Sequence, residues 1–260
     1  MRILVVSDIH ANWPALAAIA EPHDLCLCLG DLVDYGPDPA PCVRWAMEHA
    51  QYSIRGNHDH GVAQAVEVAE GAGYRYLARA TRPLMWPALG PEERLYLIRL
   101  PVTQRLTLGG RRFLLVHGTP RDPLDEYLGG DPDLWARRVK DAGADIVCVG
   151  HTHKPFHLLA EGVVVLNPGS VGQPRDGDPR ASYAIIEDDR IELKRVAYPI
   201  DETLTRVEAS PLPEKAKRLY AECLRLGRMP SPSGAWAEGD GDGDGDAADG
   251  DPSANGEAPG

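Results

Sequence analysis

The chain has 260 residues, 43% of them hydrophobic and 25% charged, the composition of a globular protein with one large domain or two small ones. Its formal net charge is −12, but residues 230–260 hold eight acids (Glu238, Asp240, Asp242, Asp244, Asp246, Asp249, Asp251, Glu257) and no Lys or Arg, so residues 1–229 carry only −4. That balance excludes the basic footprint of tight, nonspecific nucleic-acid binding, and no uncharged apolar run reaches the length of a membrane span.

The first residues form a short apolar run, 3–7, that reads as a buried strand. An acid follows it at once, so it is not a signal peptide, and a cytoplasmic location is expected. Residues 14–21 read as a helix with Pro14 in its first turn. Residues 25–29 are a second strand, 39–50 a second helix and 51–55 a third strand, an alternation that argues for parallel βαβ units. A mostly helical stretch, 60–98, is expected to break at Gly71, Gly73, Pro83, Pro87 and Pro91. Residues 104–108 and 111–116 flank Gly109-Gly110, a hairpin signal. Residues 132–141 read as a helix and 145–149 as a strand. Three closely spaced strands follow, 163–166, 182–186 and 191–197, which together suggest a mixed sheet. A last helix, 213–226, ends at Gly227.

After Arg228 the chain turns to Gly, Asp, Ala, Pro and Ser. Such a segment buries too little apolar area to offset its ordering entropy, so residues 229–260 are expected to be disordered. The repeat Asp240-Gly-Asp242-Gly-Asp244-Gly-Asp246 resembles the start of an EF-hand loop, but its twelfth position is Asp251 rather than Glu, and no helix-forming sequence flanks it. The five cysteines, Cys26, Cys28, Cys42, Cys148 and Cys223, include no CxxC pair. Cys26 and Cys28 alternate with leucines and Cys148 sits in an apolar run; small buried hydrophobes in a reducing compartment are expected.

The chemistry-bearing residues cluster where predicted strands give way to loops. Asp8-Ile9-His10 follows the first strand and Gly30-Asp31-Leu32-Val33-Asp34 the second. Gly56-Asn57-His58-Asp59 follows the third, His117-Gly118 the fifth, and Gly150-His151-Thr152-His153 the sixth. In an extended chain, residues i and i+2 face one side. Asp8 with His10, and His151 with His153, would then each present two ligands to one place. Oxygen and nitrogen donors of this kind suit Mn, Fe, Zn, Co or Ni. Ligand sites of open α/β sheets lie at strand carboxyl ends, so the five loops can converge. Each motif alone is an ordinary turn or surface residue; five together, all Asp, Asn or His beside a small residue, are not.

In this order the motifs resemble those of the calcineurin-like metallophosphoesterases, over residues 1–200 or so. The opening Ser7-Asp8-Ile9-His10-Ala11-Asn12 and the later Leu166-Asn167-Pro168-Gly169-Ser170 resemble the small bacterial and archaeal phosphodiesterase branch. The resemblance implies an α/β fold, a four-layer sandwich of two mixed β-sheets flanked by helices, in one domain over residues 1–228. It implies two divalent transition-metal ions, Mn favoured. One would be held by Asp8, His10, Asp31 and His153, the other by Asp31, Asn57, His117 and His151, with Asp31 and a hydroxide bridging them. A carboxylate has two oxygens and so can serve two ions. Two ions roughly 3.5–4 Å apart clamp a phosphoryl group and activate water. By the same resemblance His58 is the general acid, contacting phosphate, with Asp34 as its orienting carboxylate; Asp59 is a weaker candidate for that orienting role.

The resemblance has one departure: the protein-phosphatase branch has a phosphate-gripping Arg directly after the residue matching Asp34, and here that position is Tyr35. A diester, with one fewer charge, needs less cationic clamping. A phosphodiesterase acting on a small phosphate ester is therefore expected. The alternatives are a phosphatase of monoesters, proteins or dinucleoside polyphosphates, and less readily a non-catalytic scaffold or a nuclease. Asn12 is a candidate substrate contact. Arg55, Arg121 and Tyr127 are softer candidates, and Asn167–Ser170 a turn beside the site. The sequence leaves the oligomeric state open.

Overall fold

The computed structural model describes residues 1–188 and 190–231. The acidic repeat and the disorder expected over most of 229–260 therefore lie outside the described residues. Two five-stranded mixed sheets stack face to face. In the first, β1 (Arg2–Val6) pairs in parallel with β2 (Leu25–Cys28), which pairs with β3 (Tyr52–Ser53). On the other side β1 pairs antiparallel with β9 (Ala181–Glu187), and β9 with β10 (Arg190–Val196). In the second sheet the order is β4 (Thr103–Leu108), β5 (Arg111–Val116), β6 (Ile146–Cys148), β8 (Val163–Asn167), β7 (Phe156–Ala160). Its central trio β5, β6 and β8 is parallel; the outer pairs are antiparallel.

The alternation of side chains along each strand builds the layers. Ile3 and Val5 of β1 and Leu27 of β2 meet Phe113, Leu115, Ile146, Cys148 and Leu166 in the core between the sheets. Leu4, Val6, Cys26 and Cys28 face the other way, onto α1 (Trp13–Ala17), α2 (Pro39–His49), α4 (Gly73–Ala88) and α5 (Pro91–Arg99). Leu114, Val116, Val147 and Val165 pack on Trp135 and Val139 of α6 (Pro132–Val139). Helix, sheet, sheet, helix is the expected four-layer sandwich. All five cysteines are free and buried. Among the described residues no helix is long and apolar enough to cross a membrane.

Several elements differ from expectation. α4 runs through Pro83 and Pro87 instead of breaking there. Each proline deletes one backbone hydrogen bond, but Tyr74, Leu77, Ala78, Thr81 and Met85 bury one face of the helix and hold it together. The chain breaks at Leu89–Gly90 instead. α3 (Asn57–Ala63) begins inside the Gly-Asn-His-Asp motif, with Gly56 as its N-cap, so Asn57 and His58 lie in a first helical turn rather than in a loop. β7 and α7 (Ile200–Glu208) have no counterpart among the predicted elements. The last helix, α8 (Glu214–Leu226), stops at Gly227, whose φ of 61° is the left-handed conformation glycine takes at low cost.

Candidate functional site

The strands β1, β2, β3, β5, β6 and β8 all deliver their carboxyl ends to one edge of the sandwich. The loop after β1 is pinned between two others. Asp8 N donates to Gly30 O, His10 N to Asp31 O and Ala11 N to Leu32 O, at 2.9–3.0 Å, while Val171 N and Gly172 N donate to Ser7 O and Asp8 O at 3.0 Å. This pinning holds the backbone in left-handed conformations that non-glycine residues rarely adopt. Asp8, His10, Ala11, Asp31, Asp34, Tyr35, His151 and His153 all have φ between 46° and 67°. Such strain concentrates where surrounding structure over-determines it, as at active sites. The expectation of extended i, i+2 pairs is therefore corrected: these loops are coiled, not extended.

The side chains converge nonetheless. Asp8 Oδ1 lies 3.3 Å from His153 Nε2, 3.8 Å from His10 Nε2 and 3.9 Å from His117 Nε2. Asp31 Oδ2 lies 3.1 Å from His117 Nε2 and 3.7 Å from His10 Nε2. Among the described residues three ligand-competent groups result, Asp8–His10–His153, Asp31–His117–His151 and the linking group His10–Asp31–His58, the donor atoms of each within 4.8 Å of one another. The histidines of the Gly-His-Thr-His motif are thus divided between the groups. A Cβ at Gly56 would overlap the Asp31 carboxylate, and one at Gly150 would strike Ser7 and Asp8, so both positions need glycine for close approach.

The hydrogen bonding shows which atoms of this cluster remain as ligands. His10 Nδ1 donates to Val33 O at 2.9 Å and His153 Nδ1 to Gln173 O at 2.5 Å. A carbonyl only accepts, so in each neutral ring Nε2 carries a lone pair. Yet these two Nε2 atoms face each other at 3.1 Å. His117 Nδ1 likewise donates to Leu29 O at 2.7 Å. Asp8 Oδ1, Asp31 Oδ2, Asn57 Oδ1 and His117 Nε2 are all buried without a hydrogen-bond partner. Lone pairs and carboxylate oxygens turned toward one another call for positive charge. Burial, with Asp31 adding to it and His117 opposing, pushes the Asp8 carboxyl up to about 6. Burial works against a charged His117, but Asp31 and Asp8 outweigh it and raise that imidazole to about 10. Burial keeps His10 and His153 well below the usual imidazole range, and His151 down at about 3. Three imidazoles held neutral, and a fourth, His117, drawn towards positive charge by the buried carboxylates, form a cluster that fits divalent cations.

The two oxygens of Asp31 have different surroundings. Oδ1 accepts the His58 backbone N–H at 2.9 Å. Oδ2 is the atom that both histidine groups share. Asp59, the weaker candidate for orienting His58, is buried elsewhere: it accepts from Asp31 N (2.7 Å), Leu32 N (2.8 Å) and Gly56 N (3.1 Å) and clamps the loop after β2 to the start of α3. Asp34 Oδ2 instead sits 2.7 Å from His58 Nδ1.

Asn12 is a correction. It is fully buried and its side chain is consumed internally. Nδ2 donates to Gly172 O and Tyr198 OH, and Oδ1 accepts from Ala15 N and the Thr203 hydroxyl. It caps α1 and has nothing left for a substrate. Arg55 is buried too, its guanidinium bonded to Ile98 O. Arg121 pairs with Glu126, and Tyr127 donates to Thr152 O and packs its ring on His151. Asn167 and Ser170 brace the ligand loops: Asn167 Nδ2 bonds Gly150 O, and Ser170 Oγ bonds Asp8 O.

Five contributors escape a sequence reading. Arg82 of α4 binds Asp34 Oδ2 through Nε at 2.7 Å, beside His58. A Cβ at Gly61 would overlap that guanidinium. Thr81 and Met85 of the same helix hold Tyr35 N and Asp34 N. Gln173 and Arg175 follow β8 and reach the same side of the site. The signal available for Arg82 is helical spacing, which puts residues 81, 82 and 85 close together on α4.

Comparison with known proteins agrees with this geometry. A sequence model of the calcineurin-like phosphoesterase superfamily domain matches residues 1–190. The uncharacterized protein MJ0912 of Methanocaldococcus jannaschii is 34% identical over 253 residues, covering 87% of this chain and 98% of that one. Phosphodiesterase YfcE of Escherichia coli K12 is 26% identical over 211 residues, covering 74% and 91%. The crystal structure of a metallophosphoesterase from Sphaerobacter thermophilus superposes with a TM-score of 0.73 at 34% identity, covering 87% of this chain and 99% of that one. With its domain matched, its fold shared and its Asp and His side chains gathered as that metal-dependent family requires, the chain belongs to the calcineurin-like phosphoesterase superfamily.

Proposed function

We propose that this protein is a phosphodiesterase that uses two divalent transition-metal ions, Mn favoured, and hydrolyses a small phosphate ester. The observation that carries the reading is the set of buried, unpartnered ligand atoms on Asp8, Asp31, Asn57 and His117, closed by the facing lone pairs of His10 and His153. Asp8, His10, Asp31 and His153 would hold one ion and Asp31, Asn57, His117 and His151 the other, Asp31 belonging to both sets. When bound, such a pair lowers the pKa of water towards neutrality and neutralises phosphoryl charge.

The chain's own chemistry centres on His58. Its Nδ1–H is fixed on Asp34 Oδ2, which leaves Nε2 as the proton-carrying atom of the imidazolium. As the bond between phosphorus and the leaving oxygen breaks, Nε2–H protonates that oxygen, and Asp34 stabilises the charged ring until then. Arg82 binds the same Asp34 oxygen from α4, so the ring is aligned by a partner that is itself fixed. Diester over monoester is supported by Tyr35 standing where the protein-phosphatase branch has an arginine, and by the 26% identity to a protein named phosphodiesterase.

The test is direct. Manganese-loaded protein should hydrolyse bis(p-nitrophenyl) phosphate with higher kcat/KM than p-nitrophenyl phosphate. His58→Ala should lower kcat by about 10²–10⁴-fold while elemental analysis finds the same metal content. Loaded protein inert towards both esters would overturn the reading, and a reversed preference would favour the monoesterase.

A further inference from the structure

Tyr35 leaves a question of charge: the arginine of the protein-phosphatase branch is missing there, and Arg82, the cation beside His58, is engaged by Asp34. The structure contains a further cation on another loop. Arg175 follows β8 and is half-buried. Its guanidinium lies 3.8 Å above the Tyr74 ring and 6.0 Å from the Tyr35 ring. One terminal nitrogen is 3.4 Å from Tyr35 OH, and that hydroxyl is 3.4 Å from His58 Nε2. The Tyr35 ring also packs edge-on against His10, with centroids 4.6 Å apart. The Arg175 head is therefore one residue removed from both the general acid and a metal-ligand candidate.

The supporting loop is tied into the same site. Gln173 O accepts the His153 Nδ1–H, and Arg175 N donates to His153 O at 3.4 Å. Yet the polar ends of this loop are under-used. Among the described residues Arg175 has no carboxylate within ion-pair distance; its side-chain bonds run only to Tyr35 OH and Gln173 Oε1. Arg175 Nε and Gln173 Nε2 are both buried with no acceptor, and Gln173 is 1% exposed. Two buried donors without acceptors cost free energy unless an acceptor completes them, and the tyrosine faces that attract the guanidinium supply no hydrogen-bond acceptor to Nε.

We propose that Arg175, assisted by the Gln173 amide, anchors the substrate phosphate by hydrogen-bonding a non-bridging oxygen, and so supplies from the loop after β8 the cation that is absent at Tyr35. The inference rests on the phosphoesterase reading for its substrate. One guanidinium matches the single negative charge of a diester. Tyr35 is then a shelf that sets the spacing between the anchor and His58.

Arg175→Ala and Arg175→Lys should be measured as manganese-loaded full-length proteins on bis(p-nitrophenyl) phosphate, with inorganic phosphate as the binding probe. Arg175→Ala should lose about ten- to a hundredfold in kcat/KM, the worth of a charge-assisted hydrogen bond. Inorganic phosphate should inhibit it correspondingly less, with manganese content unchanged. Arg175→Lys should recover part of the loss, and free guanidinium ion should restore part of the alanine variant's rate. Rates and phosphate affinity within twofold of wild type would overturn the proposal. So would a loss of rate that tracks loss of manganese and is not rescued by guanidinium, since Arg175 would then merely hold His153. If wild-type protein hydrolyses no ester, the phosphoesterase reading fails separately. Calorimetric titration with inorganic phosphate then decides: binding lost in Arg175→Ala supports the anchor, and unchanged binding refutes it.

Discussion

Asp59 offers a test of how the fold prepares the site. Its carboxylate accepts three buried backbone N–H groups, Asp31 N and Gly56 N at Oδ2 and Leu32 N at Oδ1. No water-exposed route replaces them, because Asp59 and Asp31 are 0% and 1% exposed. Asp59→Ala strands all three donors at about 1–3 kcal/mol each, so a total of about 3–6 kcal/mol after some relaxation is expected. That is a large part of the ~5–15 kcal/mol that holds a domain together. Asp59→Asn is milder and more informative. With its amide oxygen in the place of Oδ2 it keeps Asp31 N and Gly56 N, and only Leu32 N meets an NH2 group, donor against donor. The expected cost is about 1–3 kcal/mol. Urea denaturation followed by circular dichroism measures both, with manganese titration reporting on the loop that carries Asp31. Because His58 is held by Asp34 and not by Asp59, metal-saturated Asp59→Asn should keep kcat within a few-fold. An Asp59→Ala protein within ~1 kcal/mol of wild type, or an Asn variant as damaged as the Ala variant, would refute the clamp.

Asp34→Asn should lower kcat by about ten- to a hundredfold, less than loss of the acid itself, without releasing metal; stopped assays with elemental analysis check it. Chelation should lower Tm by roughly 5–10 °C, from ~2.7 kcal/mol of linkage at a hundredfold excess over Kd and ~2–4 °C per kcal/mol; an unchanged Tm on adding EDTA would count against the metal centre. Glu21, gripped by Lys194, Arg2 and Tyr183, titrates at about 2 instead of 4.5. Its folded-state pKa is depressed, so its contribution is complete above pH 4.5 and disappears as pH falls towards 2. Discounted for solvent screening, that contribution is about 1–2 kcal/mol. Glu21→Gln should lose this much at neutral pH and flatten the acid limb of a stability–pH curve; an acid limb as steep as wild type would refute it.

The parts of the site that a sequence displays are those where chemistry and backbone coincide. Asp8, Asp31, Asn57, His117 and His151 each sit within a few residues of a strand's carboxyl end, so hydrophobic runs followed by Asp, Asn or His mark them. Arg82 and Arg175 carry no such mark. One lies in the middle of α4 and the other eight residues beyond Asn167 at the end of β8, and only the packing of distant segments brings them to Asp34 and Tyr35. Asn12 shows the opposite failure: nearness in sequence to His10 suggested substrate, while the geometry needed a cap for α1. β7 and α7 escaped for a similar reason. The β7 strand, Phe-His-Leu-Leu-Ala between Pro155 and the Glu161-Gly162 turn, loses its apolar–polar alternation after three residues, and Ile200–Glu208 shows its apolar face against α8 and α1.

The paired motifs are where local reasoning and structure part most usefully. Alternation in an extended chain would aim His151 and His153 at one point. In the structure both residues are left-handed, at φ 67° and 57°. Thr152 between them is buried and held by Asn167 Nδ2 at 3.1 Å. That coil turns His153 towards Asp8 and His10 and leaves His151 with Asp31 and His117. Asp8 and His10 also adopt left-handed φ, but there both side chains reach the same group. The same short spacing therefore yields one shared group and one divided pair. What decides between them is the bracing of each loop by its neighbours, Gly30–Leu32 and Val171–Gly172 for the first and Asn167 for the second. Backbone strain imposed by those hydrogen bonds, rather than the two-residue period, turns two short motifs into a single cluster around Asp31.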